Sequence, residues 1–401
     1  MKVLILGAKS YSTRRLLYEL KAAGLKAYIA DPSKFVLSIS DKIGHDKIYY
    51  NGKRIFRNTI DFVIPRIGSD FVMGCKVLQH LSNNLHIPTL STSEGLEAAS
   101  DKFKASQLLS ENKIKTPRSV YFQNAENYKL LIKLAGGYPV VAKLLRGSQG
   151  NGVFILNDDL AGSTALSTIS KVQKVLLQQY IETSKENAEK SDIRVFVVNG
   201  KVIAAMRRYS IKGDFRSNYS ISKTAEKVKL TSDQEQLALN AAAAFNLGIC
   251  GVDIVTDSNT KIDYIIELNG NPGIGIEKVT GLNVNKEIAM QIKSILAPVV
   301  KGQMSYLDNP LNKKWVDRQI QLGKIKPTQS FQMEEERYNS DIEFSFDDPD
   351  NGISINDPIP DNVLQEEFKS RITEISLNHL IDDVVKLQSI YKNGKDQTTN
   401  L

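Results

Sequence analysis

Apolar positions along this 401-residue chain switch repeatedly between short continuous runs and helical spacing. Val3-Leu4-Ile5-Leu6, four apolar residues closed by Gly7, predict a buried strand. Between Tyr11 and Leu25 the apolar residues Leu16, Leu17, Leu20 and Ala23 keep helical spacing, and Ala27 to Ala30 predict a second strand. Asp61 to Ile64 give a further strand, and Val72 to Leu81 with Leu85 read as a helix. Residues 1–95 are therefore expected to form a small open α/β domain. Its first turn, Gly7-Ala8-Lys9, lacks G-x-G-x-x-G, so no dinucleotide site is expected there.

The pattern then changes to strands joined by hairpins. A helix is predicted from Ser100 through Lys102 to Glu111, and an extended segment begins at Pro117. Val140 to Leu145 is an apolar strand interrupted by Lys143, and Val153 to Leu156 follows directly after Gly147-Ser148-Gln149-Gly150-Asn151-Gly152. That order predicts a glycine-rich hairpin. Val175 to Ile181 is another strand, and Ile193 to Val198 is linked to Val202 to Met206 through Asn199-Gly200, a strong short hairpin signal. Gln234 to Phe245 form an alanine-rich helix, and Gly251 to Val255 and Tyr264 to Leu268 two last strands. A mostly antiparallel sheet with helices is expected over 96–300. Beyond 301 the pattern predicts an acidic linker over 331–362, then an amphipathic helix or bent pair over 363–391.

Charge follows the same division. Residues 301–401 hold 12 Lys and Arg against 18 Asp and Glu, a balance of −6, which leaves 40 against 27, or +13, in residues 1–300. The acidic tail is expected to contact the basic body or a partner protein: as a solvated linker to a docking helix, as a partner-recruiting arm or, should the body be an enzyme, as a tethered pseudosubstrate or true intramolecular substrate. No basic stripe interleaved with aromatics occurs, so nucleic acid is not an expected partner. The composition, 41% hydrophobic and 24% charged, excludes a disordered polymer and a fibrous repeat. No apolar run approaches the roughly 18 residues needed to span a bilayer, and the two cysteines and four histidines have no zinc or disulfide spacing. A cytoplasmic protein without a membrane partner is expected.

Three constellations carry candidate chemistry. The loop Gly147 to Gly152 has no Gly-Lys-Ser/Thr ending and opens no helix, so neither P-loop nor Rossmann logic applies. A loop of small residues between strands can instead present backbone N–H groups to phosphate oxygens, with Lys143 as a nearby point charge. Glu267 and Asn269, two apart on one strand, share a face, and Asp253 on the preceding strand lies within reach across a hairpin. Two carboxylates and an amide oxygen are ligands that Mg²⁺ takes when it also binds substrate phosphates. Asp192-Ile193-Arg194, Arg208 and Gly213 to Asn218 place cations on strands beside that acidic set.

These segments together resemble a known family. Asp101-Lys102, K-x-x-x-G-S-Q-G-N-G-V at 143–153, Q-Y-I at 179–181, D-I-R at 192–194, G-D-F-R-S-N at 213–218 and E-L-N-G-N-P-G-x-G-I-E-K at 267–278 are similar to the ATP-grasp carboxylate-amine ligases. The RimK type, which adds glutamates to the C-terminus of a ribosomal protein, is the nearest resemblance, and P-R-I-G at 65–68 extends it over roughly 1–300. It implies a pre-ATP-grasp domain at 1–95, two α+β ATP-grasp subdomains at 96–182 and 183–300, and a tail at 301–401. Lys102, Lys143 and the loop residues Gly147, Ser148, Gln149 and Gly150 would hold phosphates. Gln179, Tyr180 and Ile181 would form the adenine hinge, with Asp192 near the ribose. Arg216, Ser217 and Asn218 match the nucleotide-side R-S-N, and Asp253, Glu267 and Asn269 the ligands of two Mg²⁺ or Mn²⁺ ions. Arg208 and Arg216 would be catalytic, Arg208 beside the reacting carboxylate.

The implied reaction is attack of a carboxylate on the γ-phosphate of ATP, giving an acyl phosphate that an amine captures. Glutamate or a similar amino acid would be the amine and a peptide or protein terminus the carboxylate, in a homo-oligomeric enzyme. The alternatives are a ligase that cross-links side chains of a ribosomal peptide or extends a coenzyme or carrier tail, and a nucleotide-binding regulator without turnover. The chain departs from the RimK pattern where Tyr219 to Lys223 replace a basic glycine-containing stretch, where Gln179 replaces a hinge glutamate, and in a short insertion at Thr183 to Lys190.

Overall fold

The computed structural model describes residues 1–41, 46–144, 152–170, 174–184, 190–210 and 224–300. The described chain groups into two compact units, one formed by Met1–Pro117 with the residues from Ile181 to Val300, the other by Arg118–Tyr180.

The first unit opens with β1 (Lys2–Leu6), α1 (Tyr11–Ala22), β2 (Lys26–Ala30), β3 (Phe35–Ser38), β4 (Lys47–Tyr50), β5 (Lys53–Ile55), β6 (Phe62–Pro65), α2 (Phe71–Gln79), α3 (Ser93–Ser100) and α4 (Lys102–Glu111). Strands β2-β1-β6 form the expected parallel sheet, its β1 residues Val3, Leu4, Ile5 and Leu6 fully buried. Helix α1 starts at a capping box: the Ser10 hydroxyl accepts from the Thr13 N–H while Thr13 Oγ1 accepts from the Ser10 N–H. Strands β3-β4-β5 form a second, antiparallel sheet that the hydrophobic pattern does not announce. Asp101 caps α4 by accepting from the N–H groups of Phe103 and Lys104, which fixes Lys102 as the first helical residue.

The second unit is β7 (Ser119–Phe122), α5 (Tyr128–Ala135), β8 (Val140–Leu144), β9 (Val153–Leu156), α6 (Asp159–Ile169) and β10 (Val175–Gln179). Its antiparallel sheet has the order β7-β10-β8-β9. The paired strands β8 and β9 are the two arms of the expected glycine hairpin. Phe122, Ile132, Val140, Ala142, Leu144, Leu156, Leu166, Val175 and Leu177 pack into a core of this unit's own.

The chain returns to the first unit through β11 (Ser191–Val198), β12 (Lys201–Tyr209), β13 (Ala225–Lys227), α7 (Ser232–Ala244), β14 (Ile249–Thr256), β15 (Asp263–Asn269), α8 (Ile276–Thr280) and α9 (Val284–Val300). The five strands pair antiparallel in the order β13-β12-β11-β14-β15. Asn199 and Gly200 join β11 to β12 with φ of 46° and 71°, the positive values that a tight hairpin requires. Ile193, Val195 and Val197 of β11 enter a core continuous with Leu4 and Leu6 of β1. Period-two alternation therefore leaves Asp192, Arg194 and Phe196 on the opposite face. Among the described residues no helix is long and apolar enough to cross a membrane.

Candidate active site

Register brings the charged residues of the five-stranded sheet together. Arg194 of β11 is the direct partner of Asp253 on β14, and Asp253 is the direct partner of Glu267 on β15. Direct cross-strand partners have Cβ atoms about 4.5–5.5 Å apart, so Arg194, Asp253 and Glu267 form one row across three strands. Asn269, two residues after Glu267, pairs with Gly251, two residues before Asp253. On the other side of β11, Asp192 pairs with Arg208 of β12. A bulge between Asp253 and Ile254 interrupts the β14–β15 ladder beside the row, a device that re-aims side chains.

The row is held by ion pairs. Arg194 donates through Nε to Asp253 Oδ1 and through Nη2 to Asp253 Oδ2, the latter at 2.7 Å. Arg208 grips Asp192 with both Nε and Nη2 at 2.6 Å, and its Nη2 also lies 3.0 Å from Asp253 Oδ2. Asp192, Arg208 and Asp253 are all buried. Burial opposes the charge on Asp253, yet Arg194 and Arg208 outweigh it and hold the carboxyl below the ordinary range. Burial likewise pulls Arg208 down, but Asp192 and Asp253 more than offset it and keep the guanidinium protonated.

Glu267 is exposed at the end of the row. Lys102, at the start of α4, interacts electrostatically with it: burial lowers the lysine's pKa, and Glu267 and Asp101 work against that shift. Thus the structure brings Lys102, Asp192, Arg208, Asp253, Glu267 and Asn269 into one unit. Ile181, buried, opens the returning chain of the same unit.

The second unit carries Lys143, Gln179 and Tyr180. Lys143 is partly buried on β8, paired in register with Leu176 and Val153. Gln179 ends β10, where its Oε1 accepts from Arg118 Nε at 3.4 Å and its backbone N–H donates to the Arg118 carbonyl at 2.8 Å. The boundary between the units falls immediately after Tyr180. Gly147, Ser148, Gln149, Gly150, Arg216, Ser217 and Asn218 lie outside the described residues, as does the tail from 301.

The segment after Glu267 is tied to the P-R-I-G motif. Buried Arg66 donates through Nη2 to the Pro272 carbonyl at 2.9 Å, and Asn271 Nδ2 donates to the Ile67 carbonyl at 3.0 Å. Asn269 Oδ1 accepts from the Asn271 N–H at 3.0 Å, which orients its amide. The spacing in sequence shows neither these anchors nor the bond of Arg194 to Asp253, because each joins segments distant along the chain. For Arg194 the available signal was D-I-R itself, which sets the arginine two residues from Asp192 on one strand face.

Among the described residues no group of three or more His, Cys, Asp and Glu side chains stands together as metal ligands. The expected set has two carboxylates and an amide, and its chemistry fits a hard divalent cation. Glu267 is exposed, and among the described residues Asp253 Oδ1 and Asn269 Oδ1 each accept one hydrogen bond, which leaves each a second lone pair.

A lysine-bearing strand pair in one α+β unit and a charged sheet face in another are the parts expected of an ATP-grasp ligase. Comparison with known proteins agrees: the RimK PreATP-grasp domain matches residues 1–96 and the RimK-like ATP-grasp domain residues 99–292. A probable alpha-L-glutamate ligase of Legionella pneumophila is 32% identical over 304 residues, 75% of this chain and 97% of its own. The chain belongs to the RimK-like ATP-grasp family and is an ATP-dependent carboxylate-amine ligase. Solved structures share the fold. The ATP-grasp ligase PsnB, complexed with a phosphomimetic variant of minimal precursor, Mg and ADP, has a TM-score of 0.56 at 15% identity. That likeness covers 73% of this chain and 97% of PsnB. The macrocyclase MdnC from Microcystis aeruginosa, bound with precursor peptide MdnA, has 0.54 at 14%, covering 73% and 100%.

Proposed function

We propose that this ligase adds glutamate or a similar amino acid to the carboxylate of a peptide or protein, through an acyl phosphate formed with ATP. The row Arg194–Asp253–Glu267, with Asn269 beside it, is the observation that carries the proposal. It sets oxygen donors on a rigid sheet where Glu267 faces solvent. A Legionella relative covered almost end to end, and known as a probable alpha-L-glutamate ligase, supports glutamate as the amine.

In this proposal Asp253, Glu267 and Asn269 hold one or two divalent cations. A bound Mg²⁺ or Mn²⁺ supplies charge that offsets the negative charge developing on the transferred phosphoryl group. Lys102 and Lys143 bind phosphate oxygens, each as a point charge. Arg208 is a positioning residue: locked by Asp192, it keeps the Asp253 carboxylate ionised and aimed along the row. Gln179, Tyr180 and Ile181 take the adenine side, and Gln179 presents its amide against Arg118. Arg216, Ser217, Asn218 and the loop from Gly147 to Gly150 complete nucleotide binding. The free buried thiols of Cys75 and Cys250 suit the cytoplasm, where ATP is plentiful.

The test is to incubate the full chain with ATP, Mg²⁺, glutamate and a peptide ending in glutamate, following mass and nucleotide together. Each peptide should gain glutamate residues, with one ADP released per residue added. Peptide gaining mass by loss of water alone, with no amino acid incorporated, would replace this proposal with internal cross-linking.

A further inference from the structure

The proposed cation ligands face an obstacle supplied by the chain itself. Asp253 accepts both bonds of Arg194, and Arg208 adds a contact to Oδ2. Two arginines and two aspartates, Asp192 and Asp253, make a quartet with no net charge, and all of it but Arg194 is buried. A carboxylate has about four lone-pair positions, and three are taken. Free divalent cation approaching the row therefore meets one carboxylate outside the quartet, Glu267, on which the positive charge of Lys102 already acts.

The sequence makes room for this arrangement. Gly251 lies two residues before Asp253 on β14, and a Cβ there would stand 3.0 Å from Arg194 Cδ and 3.2 Å from Pro272 Cβ. The stem of Arg194 thus runs beside bare backbone before its guanidinium reaches Asp253. Any side chain at 251 would crowd it. Arg194 is also the more accessible partner, 14% exposed against 3% for Asp253. Arg208, by contrast, is anchored by Asp192 as well.

We infer that Arg194 is a placeholder for the cation: it occupies Asp253 until a nucleotide brings a divalent ion whose charge replaces that of the guanidinium. The inference rests on the proposed role of Asp253, Glu267 and Asn269. Arg194 acts through Asp253 and is a positioning residue. Its effect is to couple cation binding to nucleotide binding, because phosphate oxygens supply the negative charge that the compensated row lacks.

The test reads Mn²⁺ binding directly, by the paramagnetic resonance signal of free Mn²⁺, with and without ADP, in the full chain. Wild type should bind Mn²⁺ weakly alone and much more tightly with ADP. Arg194→Met should bind Mn²⁺ without nucleotide about tenfold more tightly than wild type, and the gain on adding ADP should shrink. Arg194→Lys keeps a charge but loses the two-point grip, so its nucleotide-free affinity should fall between the two. Should Arg194→Met not fold, the direction of the Arg194→Lys change decides the matter.

Nucleotide-free Mn²⁺ affinity equal to or weaker than wild type in the folded variants would overturn the inference. Glu267→Gln separates its failure from failure of the site. If that change abolishes Mn²⁺ binding with ADP while the Arg194 variants show no gain, only the placeholder is lost. If it leaves Mn²⁺ binding with ADP unchanged, the metal site itself is wrong and the inference goes with it.

Discussion

Asp253 and Glu277 are both buried carboxylates with arginine neighbours, and burial leads to opposite outcomes at the two. At Asp253 the guanidinium of Arg194 makes two hydrogen bonds and that of Arg208 lies at 3.0 Å, and the carboxyl sits below its ordinary range. Glu277, on α8, has Arg15 Nη2 only at 3.9 Å and is otherwise met by the N–H and Nδ2 of Asn285 and by the backbone of Val284. There burial, helped by the negative charge of Glu19, wins and raises the pKa. A charge gripped at hydrogen-bond distance overrides desolvation, and one grazing at about 4 Å does not. The strand face thereby keeps Asp253 ionised. The contact among α1, α8 and α9 is a structural joint that can take up a proton.

Removing the grip should give the largest effect. Arg208→Met leaves the buried Asp192 without its two-point partner and weakens the hold on Asp253, so it should cost about 3–5 kcal/mol, read from denaturant midpoints. An unchanged midpoint would erase the distinction between the two centres. Glu267→Gln should next lower the rate of ligation about a hundredfold, roughly 3 kcal/mol of transition-state stabilisation. Its melting temperature should stay put, because the side chain is exposed. Full turnover in that variant would show the row to be structural, like the Glu277 joint. Lys143→Ala, in the other unit, should raise the KM for ATP by about tenfold to a hundredfold, the loss of a charge-assisted contact of about 1.5–3 kcal/mol. An unaltered KM would mark Lys143 as a lysine of the strand only.

The smallest effect belongs to Glu277 and appears as a pH dependence. Its folded pKa lies above the ordinary 4.5, so the folded state holds the proton more tightly than the unfolded chain. As pH rises from 4.5 through the folded value, stability is therefore lost, and the loss is complete above it. Glu277→Gln should remove that slope, gaining on wild type at pH 8 relative to pH 4 by much less than Arg208→Met loses. Parallel stability curves for the two proteins across that range would contradict the assignment.

Legibility in sequence tracks how local each interaction is. The strand–helix–strand opening, the Asn199-Gly200 hairpin and the β8–β9 pair follow from short-range periodicity and turn chemistry, and all three are present. Strands β3, β4 and β5 are only three or four residues long, with Val36 exposed, too short for alternation to stand out. Helix α3 offers just Leu96 and Ala98 among its buried apolar residues. At the site, the hairpin partners Asp253 and Glu267 were readable because one turn joins their strands. Arg194 bonds to Asp253 across 59 residues, and only the register of β11 on β14 reveals it. The anchors Arg66 to Pro272 and Asn271 to Ile67 span more than 200 residues and were hidden for the same reason.

The most direct measurement follows oxygen. A peptide acceptor whose terminal carboxylate carries ¹⁸O is incubated with the enzyme, ATP, Mg²⁺ and glutamate, and the released inorganic phosphate is analysed by mass spectrometry. Formation of an acyl phosphate predicts one ¹⁸O in phosphate for each labelled terminus converted to an amide, with ADP as the nucleotide product; later additions, made on unlabelled glutamate, release unlabelled phosphate. Addition of the first glutamate without ¹⁸O in phosphate, or with release of AMP and pyrophosphate, would contradict it.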